Sequence, residues 1–161
     1  MPRLDNRGII IIQEDNMAKI LVVYCTLSGN TKAAAEAVAE GAASAGANVI
    51  LKRAREATAE DFVNCDAVAL GSYDAFSYMG GELKEFLDRV FYPTQEAVAG
   101  KPYAIFLTHG GGGKAIDSFE SVIKHFKLKE AAEPVSIKGR PDAAGIVRLK
   151  ELGAKLVSAA K

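Results

Sequence analysis

The chain has no tryptophan, only two cysteines and two histidines, and no surplus of either charge, because 20 Lys and Arg balance 20 Asp and Glu. Each shortage excludes something. Balanced charge leaves no basic excess to hold nucleic acid or an anionic membrane surface. Two histidines and the lack of a Cys-x-x-Cys pair argue against a metal site. Apolar runs are no longer than a strand. Ile9-Ile10-Ile11-Ile12 is too short for the hydrophobic region of a signal peptide, and Glu14 and Asp15 follow it. Neither membrane insertion nor export is therefore expected. Cys25 falls at the end of the first confident strand and Cys65 just before the third. In a parallel sheet those ends are opposite, too far apart for a disulfide. Reduced thiols without an export signal imply a cytoplasmic protein.

What is present fits one soluble domain. At 161 residues, with 49% hydrophobic and 25% charged side chains, the chain can bury a sizeable core. Residues 1–18 carry no motif and are expected to form an N-terminal extension or tail ahead of a domain over 19–161. From Lys19 onward strands and helices alternate. Strands are expected over Ile20–Tyr24, Asn48–Leu51, Ala67–Gly71, Tyr103–Leu107 and Glu133–Ile137. Helices are expected over Thr31–Ala45 with Gly46 as C-cap, Glu82–Phe91, Ala115–Phe126 and Pro141–Ala160, with a capped helical turn at Thr58–Asp61. Leu83, Phe86, Leu87, Val90 and Phe91 repeat at helical spacing, as do Ile116, Phe119, Ile123 and Phe126, and Ile146, Leu149, Leu152, Leu156 and Val157. Pro141 suits the first turn of the last helix. Five strands alternating with helices specify an α/β fold, a doubly wound parallel sheet with helices on both faces. Ligands of such sheets sit outside the carboxyl ends of the strands, at a topological switch point.

Three loops at those ends are unusual. The first, Thr26-Leu27-Ser28-Gly29-Asn30-Thr31, joins an apolar strand to an Ala-rich helix. It sets free backbone N–H groups, the positive end of a helix dipole and several hydroxyls around one point, as a phosphate site requires. The same loop could serve only as a helix cap. The second, Gly71-Ser72-Tyr73-Asp74-Ala75-Phe76-Ser77-Tyr78-Met79-Gly80-Gly81, carries three aromatics that could stack on a planar ligand or fold back over the sheet. The third, Thr108-His109-Gly110-Gly111-Gly112-Gly113-Lys114, lets the backbone approach a ligand closely. It is not a nucleotide P-loop, because Thr108 and Ala115 stand where a glycine and a Ser or Thr are needed. Gly110-x-Gly112-x-x-Ala115 matches a dinucleotide fingerprint only loosely, and it follows the fourth strand rather than the first. A phosphoryl-receiver domain of the same topology needs a carboxylate cluster, and the first loop has no acid. Together the loops offer a hydroxyl-lined pocket, an aromatic wall and a glycine wall, which suit a phosphorylated planar ligand.

Thr26-x-Ser28-Gly29-Asn30-Thr31 resembles the phosphate loop of the flavodoxins. Gly71-Ser72, followed by Gly80-Gly81-Glu82-Leu83-Lys84-Glu85-Phe86-Leu87-Asp88-Arg89, resembles their second flavin loop and the helix after it. The likeness is nearest to flavodoxin-like NAD(P)H:quinone reductases and the flavodoxin domains of flavodiiron proteins, and it runs from about Ala18 to the C-terminus. It implies the strand order 2-1-3-4-5 and an FMN cofactor. Thr26, Leu27, Ser28, Gly29, Asn30 and Thr31 would hold the phosphate. Ser72, Tyr73, Asp74, Ala75, Phe76, Tyr78, Met79 and Gly80 would line one side of the isoalloxazine; Thr108, His109, Gly110, Gly111, Gly112 and Gly113 would line the other. The resemblance further implies electron transfer between redox partners through the flavin, with no catalytic side chain. The alternative is a small FMN-dependent oxidoreductase passing electrons from NAD(P)H to a quinone. His125 and the lysines Lys32 and Lys114 are expected in solvent. The zero net charge differs from the acidic balance usual in the family's electron carriers.

Overall fold

The computed structural model describes residues 3–4, 6–11 and 17–161. Ile12, Glu14 and Asp15, at the end of the apolar run noted above, lie outside the described residues. Two short strands, β1 (Arg3–Leu4) and β2 (Ile10–Ile11), pair antiparallel ahead of the domain.

The main sheet begins with β3 (Lys19–Tyr24), followed by α1 (Asn30–Ser44), β4 (Asn48–Arg53), α2 (Ala59–Asn64) and β5 (Ala67–Ala75). A short β6 (Tyr78–Met79) precedes α3 (Gly81–Val98), β7 (Pro102–His109) and α4 (Ala115–Ile123). Then come a 3-10 turn (Lys124–Phe126), β8 (Lys129–Glu130), β9 (Val135–Lys138) and α5 (Ala143–Ala159). β4, β3, β5 and β7 lie side by side in parallel, which is the expected 2-1-3-4 order. The fifth place is shared. β8 pairs with the start of β7 and β9 with its end, both parallel. Pro134 stands between them, and a residue without an N–H donor is suited to such an edge interruption.

Alternation along the strands divides the core in two. Leu21, Val23, Val68, Leu70 and Ile105 face α2, α3 and α4, where Phe62, Phe86, Phe119 and Phe126 fill the layer. Ile20, Val22, Ala69 and Phe106 face α1 and α5, where alanines predominate. Small residues allow close approach on that side. A Cβ on Gly41 of α1 would lie 2.0 Å from the Lys150 carbonyl of α5, and one on Gly153 of α5 would lie 2.2 Å from the Val38 carbonyl.

Several expectations need correction. The α3 helix continues past Phe91 and through Pro93 to Val98. Val90, Thr94 and Val98 extend the buried stripe, and the Thr94 hydroxyl donates to the Val90 carbonyl at 2.7 Å. That packing outweighs the missing proline N–H. Ile146 is exposed rather than inward; Gly145 takes the inner position, against Ile137. Pro141 precedes the α5 N-cap, which is Asp142. The last expected turn of α4 tightens to 3-10 geometry. Both cysteines are free and buried.

Candidate functional site

β3, β5 and β7 all release their loops on one edge of the sheet. At the first loop the chain turns into α1 through Gly29, with φ 94° and ψ −6°. A side chain is rarely tolerated there, so the glycine is a backbone requirement. The Gly29 N–H donates to the Thr26 hydroxyl at 3.0 Å, which closes the loop on itself. No side chain caps α1. Its first-turn N–H groups and its positive dipole end are therefore left without a side-chain acceptor, as an anion site requires. Leu27 and Ser28 are exposed around it, and Thr26, Gly29 and Asn30 are half-buried. Thr31 differs: it is buried, and its hydroxyl is paired with that of Thr108 at 2.7 Å. That bond joins the first loop to the third. Two hydroxyls carry two protons and their mutual bond uses one.

The second loop is a hairpin rather than an open loop. β5 runs on to Ala75 and pairs with β6 through Asp74↔Met79 and Ala75↔Tyr78. Ser72 and Met79 are buried, so they support this wall from behind instead of forming its surface. The Ser72 hydroxyl accepts from the Gly80 N–H at 2.7 Å and meets the Cys25 thiol at 3.4 Å. Burial pushes the Cys25 thiol up from its ordinary range, against a lowering hydrogen bond from Ser72, so it stays protonated at neutral pH. Tyr73 and Tyr78 are half-buried and pack on the core. Phe76 is fully exposed at the hairpin tip. Phe76 and Ser77 have φ of 55° and 66°. A turn with two left-handed residues normally takes Asn-Gly, so both are strained substitutes. Asp74 acts as a brace: one oxygen accepts from the Ser77 N–H at 2.7 Å, the other from the Ala115 N–H at the start of α4 at 3.1 Å. The second loop is thereby tied to the third.

In the third loop Gly110, Gly111 and Gly112 are exposed. A Cβ at Gly110 or Gly111 would meet nothing, and one at Gly112 would be in ordinary contact with Lys114. The protein itself does not demand glycine at these three positions, so a cradle stands open for something else. Gly113 is demanded locally, since its added Cβ would lie 3.0 Å from the Ser136 hydroxyl and 3.3 Å from the His109 ring. His109 is half-buried, and its Nδ1 is sealed from solvent with no partner among the described residues. An unmet polar atom at the base of this loop calls for an explanation. An open glycine cradle and an uncapped helix start fit a phosphorylated planar group.

Sequence reasoning missed Arg53 and Glu82. Arg53 ends β4 beside Tyr24 and forms an ion pair with Glu82 of α3 at 2.9 Å. Its guanidinium also reaches the Thr26 carbonyl at 3.5 Å. An arginine closing the strand next to the first loop was the available signal. His125 is exposed, as expected, and helps line a cleft of about 550 Å³ between α3 and the end of α4.

No protein-family model matches the chain. The flavodoxin of Aquifex aeolicus is 42% identical over 60% of this chain, which spans about half of that protein, 53% of its length. An NAD(P)H dehydrogenase (quinone) of Cupriavidus metallidurans is 30% identical, with 88% of this chain and 84% of that protein covered. Among solved structures, a flavodoxin from the domain Archaea superposes with a TM-score of 0.82 at 25% identity, covering 88% of this chain and 98% of that one.

Proposed function

This chain belongs to the flavodoxin-like family, and we propose that it binds FMN and passes electrons between redox partners through the flavin. A bound flavin supplies one- and two-electron chemistry; the protein supplies binding, orientation and electrostatics. The observation that carries the reading is the uncapped start of α1, tied through Thr31 to Thr108 at the base of a glycine stretch whose positions the protein leaves open. The first-turn N–H groups of α1, with the Thr26 and Ser28 hydroxyls, would hold the phosphate. Phe76 on one side and Gly110–Gly112 on the other would border the ring system. The Arg53–Glu82 pair holds the first loop against α3 and keeps the loop shaped. No side chain in this arrangement needs to move a proton. The buried, protonated Cys25 stays outside the chemistry. The free thiols suit a reducing compartment, in keeping with a cytoplasmic place.

The test is the phosphate. FMN is expected to bind and riboflavin to bind far more weakly, because each charge-assisted hydrogen bond lost costs on the order of 1.5–3 kcal/mol. Equal dissociation constants in a fluorescence titration would remove the first loop from the site.

A second reading has its own support: the quinone dehydrogenase of Cupriavidus covers more of the chain than the Aquifex flavodoxin does. In that reading the protein reduces a quinone with NAD(P)H. Rapid bleaching of the FMN-loaded protein by NADPH alone selects it; a flavin that stays yellow until a protein reductant is added selects the carrier.

A further inference from the structure

The edge of the sheet beside the third loop carries an unbalanced charge. β9 pairs with the end of β7, so Lys138 lies opposite His109, and the Gly139 N–H donates to the His109 carbonyl at 2.8 Å. Ser136 of the same strand lies against Gly113. Between β9 and the start of α5 runs a groove of about 320 Å³ with Lys138, Arg140 and Arg148 on its walls. All three are exposed. Among the described residues none of them takes part in an ion pair. Exposed Lys114 adds a further cation at the end of the third loop.

Asp142 lines the same groove, so three cations face one carboxylate there, and Glu133 and Glu151 line the adjoining groove with Arg148 and Lys155. Asp142 accepts the Gly145 N–H at 2.8 Å as the cap of α5, and Asp74 braces α4. Acids lie farther along the same edge, where Glu130 stands opposite Tyr103 at the other end of β7 and repels Glu120. A chain with no net charge thus presents cations next to the third loop.

We propose that this edge is a docking face for an acidic redox protein, seated on Lys138, Arg140 and Arg148 beside the glycine loop. The inference rests on the flavin reading for its purpose, but the surface stands apart from the flavin. Charge complementarity of this kind steers approach and fixes register, and it weakens as salt rises. The charge on this edge calls for an acidic partner, whatever the zero net charge of the whole chain.

A short poly-glutamate peptide serves as the acidic probe, titrated into the full chain with and without FMN and followed by amide chemical shifts and calorimetry. Binding is expected at low salt in both forms, with shifts at Ser136–Arg148. Affinity should fall about tenfold in the Lys138→Gln/Arg140→Gln/Arg148→Gln variant, and by a similar factor between low and physiological salt. Poly-lysine should leave those amides unmoved. Equal peptide affinity in the wild type and the variant, or shifts confined to other surfaces, overturns the proposal. NADPH displacing the peptide through the same three residues also overturns it, by making the groove a dinucleotide phosphate site. If the peptide binds as expected and FMN does not bind at all, the flavin reading falls and the acidic docking face remains.

Discussion

The start of α1 and the start of α5 are built in opposite ways. At α5, Asp142 brings its own carboxylate and accepts the Gly145 N–H at 2.8 Å. At α1, Gly29 stands in the cap position and contributes no side chain. The α2 helix sides with α5, through a reciprocal pair of bonds between Thr58 and Asp61. A helix that has satisfied its first turn admits no anion there. One that has not keeps its donors for a ligand; α3 also starts without a side-chain cap, but among the described residues only α1 does so directly after a hydroxyl-rich loop.

Giving α1 a carboxylate should break the contrast. Ser28→Asp is expected to weaken FMN binding by roughly a hundredfold or more, because the new charge competes for the same donors and repels the phosphate. Unchanged affinity in a fluorescence titration would show that the phosphate lies elsewhere. Thr31→Val tests the link between the first and third loops. It leaves the buried Thr108 hydroxyl without its partner, at a cost of about 1–3 kcal/mol in a denaturant titration. Thr31→Val/Thr108→Val should cost less than the sum of the single changes. Asp142→Ala sharpens the comparison from the other side: stability should drop by about 1 kcal/mol while FMN affinity stays constant. Replacing Phe76-Ser77 by Asn-Gly should raise stability, by at most about 1 kcal/mol, because it relieves two left-handed residues. Weakened FMN binding in the same variant would show that the exposed ring contributes to the site.

The smallest effect concerns pH. Burial pushes the Asp61 carboxyl up, but hydrogen bonds from Lys52 and Thr58 outweigh it and hold the group below its usual range. A depressed carboxyl lends stability that is fully present above its unfolded pKa and is lost as pH falls through the folded value. Asp61→Asn should therefore lower stability slightly near neutrality, where that contribution is fully present, and flatten the acid limb of a stability–pH profile below about pH 4, where the wild type loses it. An identical acid limb in wild type and variant would dismiss this account of Asp61.

Periodicity and turn chemistry made most of this molecule legible. The four long parallel strands, the inner faces of α3 and α4, and the first and third loops could be read because local pattern and tertiary packing agree there. Reading failed where contacts between distant residues decide. Pro93 signals a helix end, yet the buried stripe from Val90 to Val98 carries α3 through it. Phe76-Ser77 has no turn residue, so the hairpin was invisible as one. Ser72 and Met79 look like ligand-wall residues by position, and only the folding back of β6 turns them inward. Asp74 could have faced water; its brace to Ala115 spans two loops that no local pattern connects. The Arg53–Glu82 pair is likewise a product of strand order.

The glycine contact between α1 and α5 reaches beyond packing. With backbone meeting backbone at Gly41 and Gly153, α1 has no side-chain cushion along which to slide or roll. Its first turn is thus aimed before any ligand arrives. An incoming anion then loses its own freedom but asks for little ordering from the protein, and the affinity of the first loop is spared that penalty.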